Sequence, residues 1–154
     1  MTTHSYLTHL ECGLTGETAD AHRLQNLSEA GKPFLARYDL DKAKASLDRD
    51  AIAARDGGFW KWREVLPVPD AANIVALGEV DTPNIPLCQT AVWAGAERLI
   101  VKDEGRLPTG SFKARGLAMA VARNAELGTE SFAMPTNGNA GAALAAYASR
   151  INKP

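Results

Sequence analysis

A lysine opens an apolar helical pattern directly after a turn in "LPTGSFKARGLAMAVARNAELG", residues 107–128. Ser111 can cap the helix that follows, which sets Lys113 in its first turn. A cation there meets the positive end of the helix, unfavourable by about 0.3–1 kcal/mol at an exposed position. Two readings stay open. The ammonium can escape to water along its long stem. Alternatively, the same field favours the neutral amine, the form that attacks an aldehyde.

A second helix entrance follows in "PTNGNAG", residues 135–141. Gly138 and Gly141 permit close approach or unusual dihedrals. The first amides of the next helix can receive a carboxylate or a phosphate. Asn137 and Asn139 add short amide side chains able to hold a ligand oxygen. The plain alternative is an asparagine-capped helix after a tight turn. Lysine is the nucleophile suited to a Schiff base, and pyridoxal phosphate is the common aldehyde cofactor.

The elements that must position these residues read as α/β. "RLIVKDE", residues 98–104, is an apolar run suited to a buried strand. Ala114, Leu117, Ala118, Val121, Ala122 and Ala125 recur at spacings of three and four, giving one apolar helix face. Gly128 fits the position just past that helix. "SFAMP", residues 131–135, reads as another short strand, and a second helix carries Ala140, Leu144, Tyr147 and Ala148 on one side. Strand, helix, strand, helix argues for a parallel sheet. Both helix entrances would then open at the carboxyl edge, where ligands of open α/β sheets bind.

Upstream, "YLTHLEC" reads as a strand, "GLTGE" as a turn, and "GKPFLARYDL" as a turn followed by a short strand. A small β module is expected over 1–45, then a helix and linker over 46–77. Ser46 is the expected cap of that helix, with Leu47, Ala51 and Ala54 at helical spacing and Gly57-Gly58 as its stop. "FWKWREVLPVPD" reads as an extended linker whose tryptophans pack against a neighbouring domain. The first part of the α/β domain is expected over 78–154.

Composition excludes several classes. The 154 residues carry 17 Lys and Arg against 18 Asp and Glu, so charge gives no reason to expect nucleic acid or an anionic membrane. Two cysteines, Cys12 and Cys88, supply neither a disulfide framework nor a four-ligand zinc set. No apolar run approaches the roughly 20 residues that cross a bilayer. "MTTHSYLTHLECG" lacks the regions of a signal peptide, and a cytoplasmic location is the expectation.

"VKDEGRLPTGSFKARG" followed by "PTNGNAGAALAAYA" resembles the amino-terminal part of the threonine synthases. These are pyridoxal 5'-phosphate enzymes of the tryptophan synthase β-like fold (fold type II). "LGE…TP" and "GKPFLARYDL" favour that family over its relatives. The resemblance implies an open parallel sheet with helices on both faces, present here in part. It implies that Lys113 bonds to the cofactor aldehyde and that Asn139 hydrogen-bonds the cofactor's phenolic oxygen. Thr136, Asn137, Gly138 and Ala140 match the loop that receives the amino-acid carboxylate. Thr109, Ser111 and Arg115 lie near the matched lysine as weaker candidates. The implied reaction converts O-phospho-L-homoserine and water into L-threonine and phosphate, as a lyase of threonine biosynthesis.

The sequence departs from the family in two places. Where members often carry paired Cys-x-x-Cys groups, Cys12 is the only cysteine, with His22 nearby, and a metal-free ribbon is expected. The usual Gly-Glu-Gly-x-Thr-Pro reads "GEVDTPNIP". The family's phosphate-binding glycine cluster comes later than Pro154, so a piece of a longer enzyme is expected, with association to the remainder or to itself. Two alternatives stand: another pyridoxal phosphate β/γ-replacement enzyme or a threonine/serine dehydratase, and a non-catalytic segment acting in subunit association.

Overall fold

The computed structural model describes residues 5–154, so residues 1–4 of the expected β module lie outside it. Three antiparallel strands form that module: β1 (Leu7–Cys12), β2 (Thr18–Ala19) and β3 (Phe34–Tyr38), in the order β2-β1-β3. The strands read from "YLTHLEC" and "GKPFLARYDL" are β1 and β3, paired from Leu7↔Tyr38 to Cys12↔Phe34. Cys12 is buried, and its Sγ lies 3.0 Å from Ser28 Oγ, which also accepts the Lys32 amide. Hydrogen bonding, led by Ser28 and then Thr15, holds the Cys12 thiol down to about 7. His22 is exposed, and among the described residues no group of three or more His, Cys, Asp or Glu is gathered.

The connection reads differently from expectation. Helix α1 (Leu40–Ser46) forms directly after β3, and α2 (Arg49–Ala53) follows. Asp39 Oδ1 caps α1 by accepting the Lys42 amide, and Asp48 Oδ1 caps α2 by accepting the Ala51 amide. Ser46 therefore closes one helix rather than opening the next. A carboxylate at each cap bonds the amide three residues on and suits the positive helix end, which decides the boundary. Residues 58–65 are not extended but a 3-10 turn, entered through Gly57 and Gly58 at φ 105° and 55°. Trp60 is buried in the core, whereas Trp62 is 45 % exposed.

The expected parallel sheet is not seen among the described residues. β4 (Asn84–Pro86) pairs antiparallel with β5 (Ile100–Lys102), and all three β5 residues are exposed. Between them α3 (Cys88–Trp93) and Gly95, at φ 65°, turn the chain back on itself, so the two strands run in opposite directions. A parallel pair needs a crossover that returns the chain to the starting edge. Among the described residues, 131–135 join no ladder; Phe132 instead gives its amide to the Pro154 carbonyl at 2.8 Å.

The core sits under α4 (Lys113–Glu126) and α5 (Asn139–Arg150), which pack on each other. Ala114, Ala118, Val121 and Ala122 are fully buried and meet Tyr147, Phe59, Trp60 and Leu107. Gly128 ends α4 at φ 92°, with its amide on Ala125 and the Thr129 amide on Asn124, a Schellman closure. Arg123 of α4 bonds the Ala21 carbonyl and pairs with Glu126, whose Oε1 takes the Asp70 amide and Asn73 Nδ2. The helix thereby holds both the β module and the connection.

One polar link crosses this core. Tyr147, fully buried, donates its hydroxyl to Glu79 Oε1 at 2.6 Å, and Leu77 gives its amide to the same oxygen. Burial, followed by that bond, raises the Tyr147 phenol above its ordinary value. Glu79 Oε2 is buried without a partner among the described residues. Removing the phenol strips this carboxylate of its strongest bond. Tyr147→Phe is expected to lose about 1–3 kcal/mol of stability in urea unfolding. An unfolding midpoint equal to that of the unchanged chain would show that the bond contributes nothing.

Candidate functional site

Lys113 stands where expected, as the first residue of α4. Phe112 rather than Ser111 holds the cap position, and Ser111, 8 % exposed and one residue ahead of it, accepts the Lys113 amide at 3.2 Å. The approach is a 3-10 turn over Pro108–Gly110 in which Thr109 takes φ 64°, a left-handed conformation uncommon outside glycine. That turn packs against α5. The Lys113 side chain is half-buried, with Nζ 4.6 Å from the centre of the exposed Phe112 ring.

The second entrance is built by Thr136. Its Oγ1 accepts the amides of Gly138 at 3.1 Å and Gly141 at 2.9 Å. Gly138 takes φ 136°, ψ −87°, a backbone that only glycine holds without strain. A Cβ on Gly141 would lie 3.3 Å from Thr136 Cβ and Oγ1, and closer still to its Cγ2. With the hydroxyl spent on those two amides, the Asn139 and Ala140 amides have no partner among the described residues. They stand in the first turn of a twelve-residue helix, where an anion is favoured. Asn137 and Asn139 are exposed beside them.

These residues fit an anionic aldehyde cofactor and an amino-acid ligand. They offer one amine at the start of a helix, two open amides, and a turn in which Gly138 takes a backbone that favours glycine and Gly141 has no room for a Cβ.

Arg115 has different company. About 200° of helical rotation separates it from Lys113. Its Nε and Nη2 grip Glu104 at 2.5 and 2.8 Å, and Nη2 reaches Thr82 Oγ1 at 3.2 Å. Glu104, Thr82 and Lys102, whose Nζ bonds the Thr82 carbonyl at 3.1 Å, were not singled out in the sequence. The usable signal was "KDE" ahead of "FKAR", a carboxylate and a guanidinium in neighbouring segments.

The Arg115 bond, with help from Thr82 and against burial, holds the Glu104 carboxyl at about 2 from an ordinary 4.5. A lowered folded-state value stabilises the fold above pH 4.5 and loses that contribution as pH falls towards about 2. Glu104→Gln is expected to flatten the acid side of the stability–pH curve across that window, read from thermal midpoints. Parallel curves for the two proteins would refute the linkage.

The pyridoxal-phosphate dependent enzyme pattern matches residues 75–154, a stretch that includes both helix entrances. A threonine synthase of Methanocaldococcus jannaschii is 37 % identical over 142 residues, 92 % of this chain and 35 % of that protein. One of Halalkalibacterium halodurans is 43 % identical over 94 residues, 61 % of this chain and 26 % of that protein. One of Methanosarcina acetivorans is 35 % identical over 117 residues, 76 % and 28 % of the two chains. The chain thus spans about a third or less of the length of these curated relatives. Enzymes of the matched family depend on pyridoxal phosphate and share the tryptophan synthase β-like fold. Because the matched stretch takes in more than half of its residues, the chain belongs to the pyridoxal-phosphate dependent enzymes.

Proposed function

We propose that this chain supplies the cofactor lysine and the carboxylate-binding turn of a threonine synthase, acting on O-phospho-L-homoserine and water to give L-threonine and phosphate. The observation that carries the reading is the pair of helix entrances, Lys113 at one and the open amides of Asn139 and Ala140 at the other. The similarity to threonine synthases along most of the chain supports the choice of reaction.

Lys113 is the residue that bonds the cofactor, and Asn139 is the side chain offered to its phenolic oxygen. Thr136, Asn137, Gly138 and Ala140 form the turn for the substrate carboxylate. Thr136 does this indirectly, by holding the Gly138 and Gly141 amides and leaving the two between them open. Thr109 and Ser111 set the angle at which Lys113 leaves the turn, and Arg115 braces the helix from its far side against Glu104. Pyridoxal phosphate, when bound, withdraws electrons from the bonds at the substrate Cα. Lys113 Nζ then takes protons from Cα and Cβ, as a base whose reach is set by the first turn of α4. Phosphate departs from Cγ, which takes up a proton to become the methyl group; water then adds its hydroxyl at Cβ, and Cα regains its proton.

In this reading the chain divides into a ribbon over 1–45, a connection over 46–77, and cofactor-binding α/β structure over 78–154 within an open parallel sheet. The deciding experiment incubates the enzyme carrying this sequence separately with phosphohomoserine and with threonine. Threonine and free phosphate from the first support the proposal. Oxobutyrate from the second, without phosphate release from the first, makes it a dehydratase.

A further inference from the structure

A pocket of about 290 Å³ opens beside Arg115, on the side of α4 turned away from Lys113. Three cations reach it from three separate segments: Lys61 from the 3-10 turn at 58–65, Lys102 from the end of β5, and Arg115 from α4. Asp81 is the one acid among its lining residues. Even with Glu104 counted, one positive charge is left over.

Each cation keeps donors in reserve. Arg115 commits Nε and Nη2 to Glu104 and Thr82, which leaves Nη1. Lys102 commits one of its three donors to the Thr82 carbonyl, and Lys61 commits one to Asp81 at 2.8 Å. The Lys61 side chain is only 17 % exposed, so its charge is screened less than a surface lysine's. The walls are aromatic. Phe59 lies 5.7 Å from the Arg115 guanidinium, and the exposed Trp62 offers its indole to a flat group.

Donors arriving from three segments suit the three terminal oxygens of a phosphate better than the two coplanar oxygens of a carboxylate. We propose that this pocket binds an aromatic phosphate monoester of nucleoside monophosphate size, its phosphate on Lys61, Lys102 and Arg115 and its ring against Trp62. The site is distinct from the Lys113 turn and does not depend on the reaction proposed above.

Calorimetric titration of the 154-residue chain with adenosine monophosphate, inorganic phosphate and adenosine tests it. The monophosphate is expected to bind at least about 10-fold more tightly than inorganic phosphate, because stacking adds to the ionic contacts. Adenosine alone should bind more weakly than the monophosphate. Lys102→Met should weaken the monophosphate by about 10-fold or more, through loss of a charge-assisted bond. Trp62→Ala should bring it down to the level of inorganic phosphate. Both side chains are exposed, and circular dichroism verifies that each variant remains folded. Unchanged monophosphate affinity in folded Lys102→Met, equal affinities for monophosphate and inorganic phosphate, or no heat at about 10 mM monophosphate overturns the proposal.

Discussion

Borohydride reduction of the cofactor-loaded enzyme is expected to leave the pyridoxyl mass on the peptide containing Lys113. Lys113→Ala is expected to lose turnover on the order of 10³-fold or more, the scale seen when a residue of a covalent catalytic unit is removed. The argument rests on placement. Lys113 is the first residue of α4, its amide held by Ser111 and its side chain half-buried after a turn strained at Thr109. The loss should fall on turnover rather than on folding, since the core face of α4 is made by Ala114, Ala118, Val121 and Ala122. Lys102 is the control, because it lies in the neighbouring strand and bonds the Thr82 carbonyl. A label on Lys102, or full turnover in Lys113→Ala, would remove Lys113 from the mechanism.

Gly141→Ala is expected to raise the KM for the amino-acid substrate by about 30-fold, equivalent to about 2 kcal/mol, with a smaller effect on the stability of the fold. The added methyl would press on Thr136, whose hydroxyl holds the Gly138 and Gly141 amides. Thr136 can yield only by giving up one or both bonds, each worth about 0.5–1.5 kcal/mol. Once they are lost, the open amides of Asn139 and Ala140 no longer have a fixed direction. Alanine is otherwise well suited to a helix interior, so helix propensity opposes rather than mimics the effect. Thr136→Ser keeps the hydroxyl and removes the methyl that the new Cβ meets, and should restore part of the affinity when combined with Gly141→Ala. An unchanged KM in Gly141→Ala, or no recovery in the double variant, would separate the turn from carboxylate binding.

Much of this was written in local chemistry. The recurrence of alanine, leucine and valine at three and four residues determined α4 and α5, because a helix with one apolar stripe has one way to bury it. Gly128 marked the end of α4 through a dihedral that needs no distant partner, whereas at its start Phe112 takes the cap position expected for Ser111. Lys113 and the glycines at 138 and 141 were legible for the same reason. Their residue types at a helix start carry a chemistry of their own.

What the sequence did not determine is whatever depends on pairing across the chain. The direction in which β5 pairs is decided by how α3 and Gly95 bring the chain back, and a short apolar run carries no record of its partner. The 3-10 turn over residues 58–65 exists because Trp60 finds a core to enter among Val121, Leu107 and Tyr147. Arg115 read from sequence as a neighbour of the lysine, but folding set it on the far side of α4 against Glu104 and Thr82. The Glu79–Tyr147 bond spans 68 residues, and only a shared low-dielectric core makes such a pair worth forming. Local propensity places a side chain on an element; which groups then meet is settled when the elements exclude water together.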